Sequence, residues 1–157
     1  MNALILFLIT LGLDRFTKAL ALKNLFSGMR SPCAVLNLVL TWNPGISWSL
    51  FADSGEWGAW LLTLTICVVV ALFSWHTLSR TIYFKSVWPE GLVLGGAVSN
   101  LIDRFLYGAV MDFIEFHAFG YSFPVFNVAD IAIFIGVLGI LLRKKPVERH
   151  GCGSRHV

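Results

Sequence analysis

Two aspartates are the first candidates for chemistry, because nothing near them in the chain neutralises them. Asp130 interrupts an apolar stretch, Val125 to Leu142, that contains no Lys or Arg. Asp112 follows another apolar stretch, Ser86 to Leu106, by a few residues, and Gly108 lies between them as a point where the chain can turn back. A carboxylate at membrane depth without an evident partner is a functional candidate by default. Two such carboxyls within a few ångströms of each other cannot both ionise cheaply in a low-dielectric site, so they share one proton and titrate as a unit. The ionised member can then activate a water while the protonated member protonates a leaving amine. That is peptide hydrolysis without a metal.

Other chemistries find less material. No H-E-x-x-H pattern occurs, and none of His76, His117, His150 and His156 falls in the polar layer of the apolar segments. His150, Cys152 and His156 read as part of a solvated tail, not as a chelate, and Cys33, Cys67 and Cys152 would fall outside, within and inside a membrane and cannot pair with one another. No metal and no cofactor are expected. A serine nucleophile with a lysine base, Ser47 or Ser49 with Lys18, stays open. Asp14 with Lys18 and Asp103 with Arg104 read as ion pairs that hold helices together.

The elements that must position these groups follow from composition. Of 157 residues, 57% are hydrophobic and 13% charged, about half the charged share of roughly 25% in soluble domains. Such a chain cannot cover itself in water, and nucleic-acid binding and disorder are excluded as leading readings. At about 20 residues per span, four membrane helices are expected at about 1–22, 57–79, 86–106 and 125–142. They form one all-α four-helix bundle over residues 1–146, with 147–157 as a flexible cytoplasmic tail. The first segment lacks a basic residue before its apolar run, which argues against a cleaved signal peptide. With the N-terminus cytoplasmic, the inside receives Arg80, Lys85, Arg143, Lys144, Lys145, Arg149 and Arg155, and the outside receives Lys23 and Arg30. Seven against two places both termini inside.

The first external segment alternates. Ala34, Leu36, Leu38, Leu40 and Trp42 would form one face, Val35, Asn37, Val39 and Thr41 the other, with Asn43-Pro44-Gly45 as a turn and a return strand through Ile46, Trp48 and Leu50. A β-hairpin at about 34–51 on the outer membrane surface is expected. Trp42, Trp48, Trp57 and Trp60 read as interfacial belt residues. At about 1.5 Å per residue, Asp14 lies roughly 20 Å from the inner end of its helix, Asn100 about as far along the third, and Asp130 roughly 8 Å below the outer boundary. Polar residues of three helices thus share one level, and Asp14 with Lys18, Asn100 with Asp103 and Arg104, and Asn127 with Asp130 share helix faces.

These residues fall in blocks that resemble the bacterial lipoprotein signal peptidases (signal peptidase II), a family of intramembrane aspartic proteases. Asp14-Arg15-Phe16-Thr17-Lys18 resembles the family's D-Q-x-T-K, and Asn43-Pro44-Gly45-Ile46-Ser47-Trp48-Ser49 its N-x-G-A-A-F-S. The stretch Gly95 to Arg104 matches G-G-A-x-x-N-x-x-D-R, Val110 to Ile114 matches V-x-D-F-I, and Phe126 to Asp130 matches F-N-x-A-D. Arg15, Ile46 and Ser47 depart from the pattern and bear on substrate fit. The resemblance implies Asp112 and Asp130 as the catalytic pair. It implies a site-shaping or substrate-binding role for Asp14, Lys18, Asn43, Gly45, Asn100, Asp103, Arg104 and Asn127. It also implies the substrate, a prolipoprotein whose lipobox Cys carries a diacylglyceryl group and which is cut just before that Cys. The expected setting is the bacterial inner membrane, with the site toward the outer leaflet, membrane lipids around it, no nucleic acid and a monomeric protein.

A small proton-coupled transporter would also use intramembrane Asp, Asn and Lys residues. It would need a polar path through the whole bilayer, and Met1 to Leu13 offers only Asn2 and Thr10, while Ile131 to Leu142 offers no polar side chain. A non-catalytic assembly subunit would tolerate loss of either Asp112 or Asp130.

Overall fold

Burial is inverted relative to a water-soluble protein. In the computed structural model, which describes residues 3–45, 55–82 and 86–143, the largest fully buried side chains include Lys18, Glu90, Asn127, Asp14 and Asp103. Leu4, Leu8, Phe16, Leu64, Leu72, Phe134 and Leu141 are exposed. A polar interior inside an apolar surface is what a hydrocarbon solvent selects.

The elements run α1 (Ala3–Leu25), β1 (Arg30–Cys33), β2 (Leu36–Asn43), α2 (Gly55–Ile82), α3 (Trp88–Tyr107), β3 (Val110–Ala118), β4 (Tyr121–Ser122) and α4 (Val128–Leu141). The protein is helical with a small antiparallel sheet of order β1-β2-β3-β4. Each helix overlaps one expected apolar segment. Among the described residues, only Trp57–Ile82 is long and apolar enough to cross a membrane by length and composition alone, and α4 is apolar but shorter.

Helix α3 is the hub. It packs on α1, α2 and α4, and its small residues permit close approach. A Cβ at Gly95 would lie 2.8 Å from the Phe7 carbonyl oxygen of α1, and one at Gly96 would lie 2.5 Å from the Ala129 carbonyl oxygen of α4. On α1 the buried residues are Leu6, Thr10, Asp14, Lys18, Ala21 and Leu25, a stripe with intervals of three and four that faces inward. The stripe is apolar at both ends and charged in the middle. Its outer end, Ala21 and Leu25, joins Phe113 in an apolar cluster against which Leu38, Leu40, Ile114 and Val128 pack.

The sheet departs from the alternation read in sequence. The strand at Leu36–Asn43 exists, but its partners are β1 and β3, and the expected return strand through Ile46, Trp48 and Leu50 lies outside the described residues. Strict alternation also fails. Leu38 pairs with Ile114 but Thr41 pairs with Asp112, so β2 carries one extra residue, a β-bulge. A one-residue slip reverses which face a side chain occupies. Beyond the bulge Asn43 stands opposite Val110, on the same face as Asp112, which lies two residues along β3.

Candidate active site

Each aspartate is delivered by a different chain ending. Helix α3 stops at Gly108, whose φ of 71° is left-handed and whose N–H donates to the Arg104 carbonyl at 3.0 Å, the usual glycine stop. The chain reverses there and enters β3, which places Asp112 beside the outer end of α3. Asp130 sits in the first turn of α4. There Asn127 is the N-cap, its Oδ1 accepting from the Asp130 N–H at 3.0 Å while Asp130 Oδ2 accepts from the Asn127 N–H at 3.2 Å. This reciprocal capping box satisfies helix-end donors. The expected helix start near Val125, which put Asp130 roughly 8 Å below the outer boundary, is therefore corrected. The helix begins at Val128, and the carboxyl stands at its mouth.

Asp112 and Asp130 line one cavity of about 210 Å³, together with Asn43, Asn100, Arg104 and apolar side chains from α2, α3 and α4. All four carboxyl oxygens accept an N–H. Asp112 Oδ1 accepts from Asn127 Nδ2 at 2.6 Å and Oδ2 from Asn43 Nδ2 at 3.0 Å. Asp130 Oδ1 accepts from Asn100 Nδ2 at 2.9 Å, and its Oδ2 from the Asn127 N–H. Asn127 therefore touches both carboxyls. Burial pushes the Asp112 carboxyl up to about 6, with the nearby Asp130 charge acting the same way against the hydrogen bonds from Asn43 and Asn127 and the charge of Lys18. A pair held like this can take one proton and give another near neutral pH.

Beneath the pair lies a buried ion network. Lys18 Nζ donates to Asp14 Oδ2 at 2.8 Å, Asp103 Oδ2 at 2.7 Å and Asn100 Oδ1 at 2.8 Å. Lys18 is thus engaged by three acceptors inside the bundle, and Ser47 and Ser49 of the Ser and Lys alternative lie outside the described residues. Asp14 also binds across the bundle, accepting from Ser99 Oγ at 2.6 Å and from the Ala129 N–H of α4 at 2.8 Å. The second donor is one of the four unpaired amides at a helix start.

The expected Asp14–Lys18 pair is present, and the expected Asp103–Arg104 pair is corrected. Asp103 takes Arg15 at 2.6 Å together with Lys18, because its side chain points into the bundle toward α1. Arg104 Nη1 donates instead to the Pro44 carbonyl at 3.1 Å. It thereby holds the Asn43-Pro44-Gly45 turn over the cavity. Asn43 Oδ1 accepts from the Gly45 N–H at 2.8 Å, an Asx-turn that fixes the Asn43 amide.

Sequence reasoning missed Arg15 and Ser99 as members of the network, and also a second ion cluster. In that cluster buried Glu90 of α3 accepts hydrogen bonds from both Nη atoms of Arg143, at 2.8 and 2.6 Å, and Arg80 Nε lies within ion-pair distance at 3.3 Å. Its signal was present, a carboxylate at the start of an apolar segment with arginines ending two others.

The model of signal peptidase (SPase) II matches residues 6–144. The chain belongs to the signal peptidase II family. It is 40% identical over 145 residues to the lipoprotein signal peptidase of Cupriavidus necator, covering 91% of this chain and 83% of that one. To the lipoprotein signal peptidase of a Methylobacterium species it is 40% identical over 146 residues, covering 90% and 87%. It is also similar to a solved bacterial membrane enzyme, determined by the in meso method, with a TM-score of 0.67 at 26% identity, covering 91% of this chain and 94% of the other. Signal peptidase II enzymes are proteases, so this chain is a hydrolase and the transporter alternative is set aside.

Proposed function

We propose that the protein cleaves diacylglyceryl-modified prolipoproteins just before the lipid-bearing Cys, with Asp112 and Asp130 as the catalytic pair. The observation that carries this reading is the cavity on which both aspartates open, with Asn127 hydrogen-bonded to each. A peptide carbonyl between the two carboxyls would meet a water activated by the ionised one and a proton from the other. Asn43, Asn100 and Asn127 donate to carboxyl oxygens and fix their directions, so positioning is complete before substrate arrives. The proton belongs to the pair and not to one residue.

In the same reading α1 to α4 all cross the inner membrane, with both termini cytoplasmic by the seven-to-two distribution of basic residues. Residues 1–146 form one domain, with 147–157 as a cytoplasmic tail. The sheet and the mouth of α4 then lie at the outer leaflet, where a lipid-anchored signal helix presents its cleavage point. The charged stripe of α1 and the capped start of α4 belong at that level, and the protein acts as a monomer among membrane lipids.

The test uses purified Asp112→Asn, Asp130→Asn and the double variant on a diacylglyceryl-modified precursor in detergent. Each single variant should lose turnover and the double should be no worse, since groups that act as a unit fail together. Chelators should change nothing. Substantial turnover by either single variant sinks the dyad.

A further inference from the structure

Asp103 of α3 ties α1 to β3. Oδ1 takes Arg15 Nη1 at 2.6 Å, while Oδ2 takes Lys18 Nζ at 2.7 Å and the Met111 N–H at 3.2 Å. Met111 directly precedes Asp112 on β3 and is almost fully buried. Its carbonyl accepts from Asn127 Nδ2 at 3.3 Å, so both sides of this residue are clamped. We propose that Arg15 is a positioning residue for the Asp112 carboxyl, acting through Asp103 and the Met111 amide. The inference rests on the catalytic reading of Asp112.

Charge accounting supports it. Asp14 and Asp103 are both buried, and Lys18 alone cannot neutralise two carboxylates while also donating to Asn100. Arg15 is the second cation of a two-to-two network. Its Nη1 donates also to the Ser99 carbonyl at 3.2 Å, which fixes the guanidinium against α3. Without it the full negative charge of Asp103 would fall on Lys18 and draw that ammonium away from Asn100, the residue that donates to Asp130. Loss of Arg15 would thus disturb Asp112 through Met111 and Asp130 through Asn100. A Gln at this position could hydrogen-bond to Asp103 but would leave the network one charge short. The other charged groups around the pair are Asp14 and Lys18 on α1 and Asp103 and Arg104 on α3.

The experiment compares wild type, Arg15→Gln and Arg15→Lys on a synthetic lipopeptide bearing a diacylglyceryl cysteine, in detergent, with Asp112→Asn as control. Kinetics are read as kcat and KM across pH, and folding as thermal melting. Arg15→Gln should lower kcat about tenfold, since small misplacements of reacting groups are amplified in rate, with KM within about twofold. Its pH profile should move upward, because a cation that favours ionised carboxyls is gone. Arg15→Lys keeps the charge and should recover about half of kcat or more, with the profile back in place. An Arg15→Gln enzyme with wild-type kcat and an unmoved profile overturns the proposal. So does a loss confined to KM, or a failure to fold, which makes the role structural. If Asp112→Asn itself turns over substrate, the catalytic reading falls too. If it is dead while Arg15→Gln behaves as wild type, only this inference falls.

Discussion

Lys18 and Asn100 meet across α1 and α3, the ammonium donating to the amide oxygen at 2.8 Å and so turning the amide nitrogen toward Asp130. The orientation of a group at the reaction centre is thereby set by a charge that lies one residue away from it. Replacing Lys18 by Met would leave the Asn100 amide oxygen with only the hydrogen bond from Asn127 Nδ2 at 3.2 Å, and would leave Asp14 and Asp103 short of a buried partner. Breaking such a pair costs about 3–5 kcal/mol. Lys18→Met should therefore be inactive and melt far below wild type in the same detergent. A melting point within a few degrees of wild type would show that the network contributes little to the fold.

Asp112 should make the fold less stable as pH rises. Its carboxyl is pushed from its ordinary value of 3.8 to about 6, so between those values the folded protein holds a proton that the unfolded chain has released. Stability then falls as pH climbs from about 4 to about 6 and is level above. Asp112→Asn lacks this titration. Its melting temperature relative to wild type should rise by several degrees between pH 4 and pH 7, whatever constant effect the altered hydrogen bonds add. A difference that stays flat over that range would mean the carboxyl is not held up by burial.

The turn over the cavity can be tested at Gly45. Its φ of 80° lies in the left-handed region, and an added Cβ would press on the Arg104 guanidinium and on Leu62. Gly45→Ala should displace Arg104 from the Pro44 carbonyl and loosen the Asx-turn that orients Asn43. Strain at such a position costs about 1–3 kcal/mol, and activity should fall by at least about tenfold while the helices persist by circular dichroism. Wild-type kinetics in the purified variant would separate the turn from the site.

Glu90 offers the converse case, stability without chemistry. It lies ten residues before Asn100 on α3, roughly 15 Å along the helix, and joins α2, α3 and α4 through Arg80 and Arg143. Both arginines are about one-quarter exposed, so solvent moderates the loss when their partner is removed. Glu90→Ala should cost about 1–3 kcal/mol of stability and leave kcat at 25 °C within about twofold. A kcat that collapses at a temperature where the variant is still folded would tie this cluster to the reaction.

What could be read in the sequence was local. Asp14 with Lys18 and Asn127 with Asp130 are spaced by one helical turn, so the chain alone brings them together, and Gly108 announced the reversal that returns Asp112. The partners of Asp103 were not legible, because its nearest basic neighbour in sequence, Arg104, points toward the turn, while its true partners Arg15 and Lys18 belong to another helix. The sheet failed for a related reason. Asn43 and Asp112 are 69 residues apart, and nothing in the alternation of β2 reveals the extra residue that aligns them.

That extra residue makes the site sensitive to counting. Between Leu38 and Asn43 the chain must keep its number of residues modulo two, since side chains along a strand alternate faces. A single deletion there would leave every local residue type intact and still send Asn43 to the far side of the sheet from Asp112. Two deletions would restore the face while shortening the reach. Among relatives of this chain, length differences should therefore gather in the connections between elements and avoid this stretch, where a change of one residue is a change of sign.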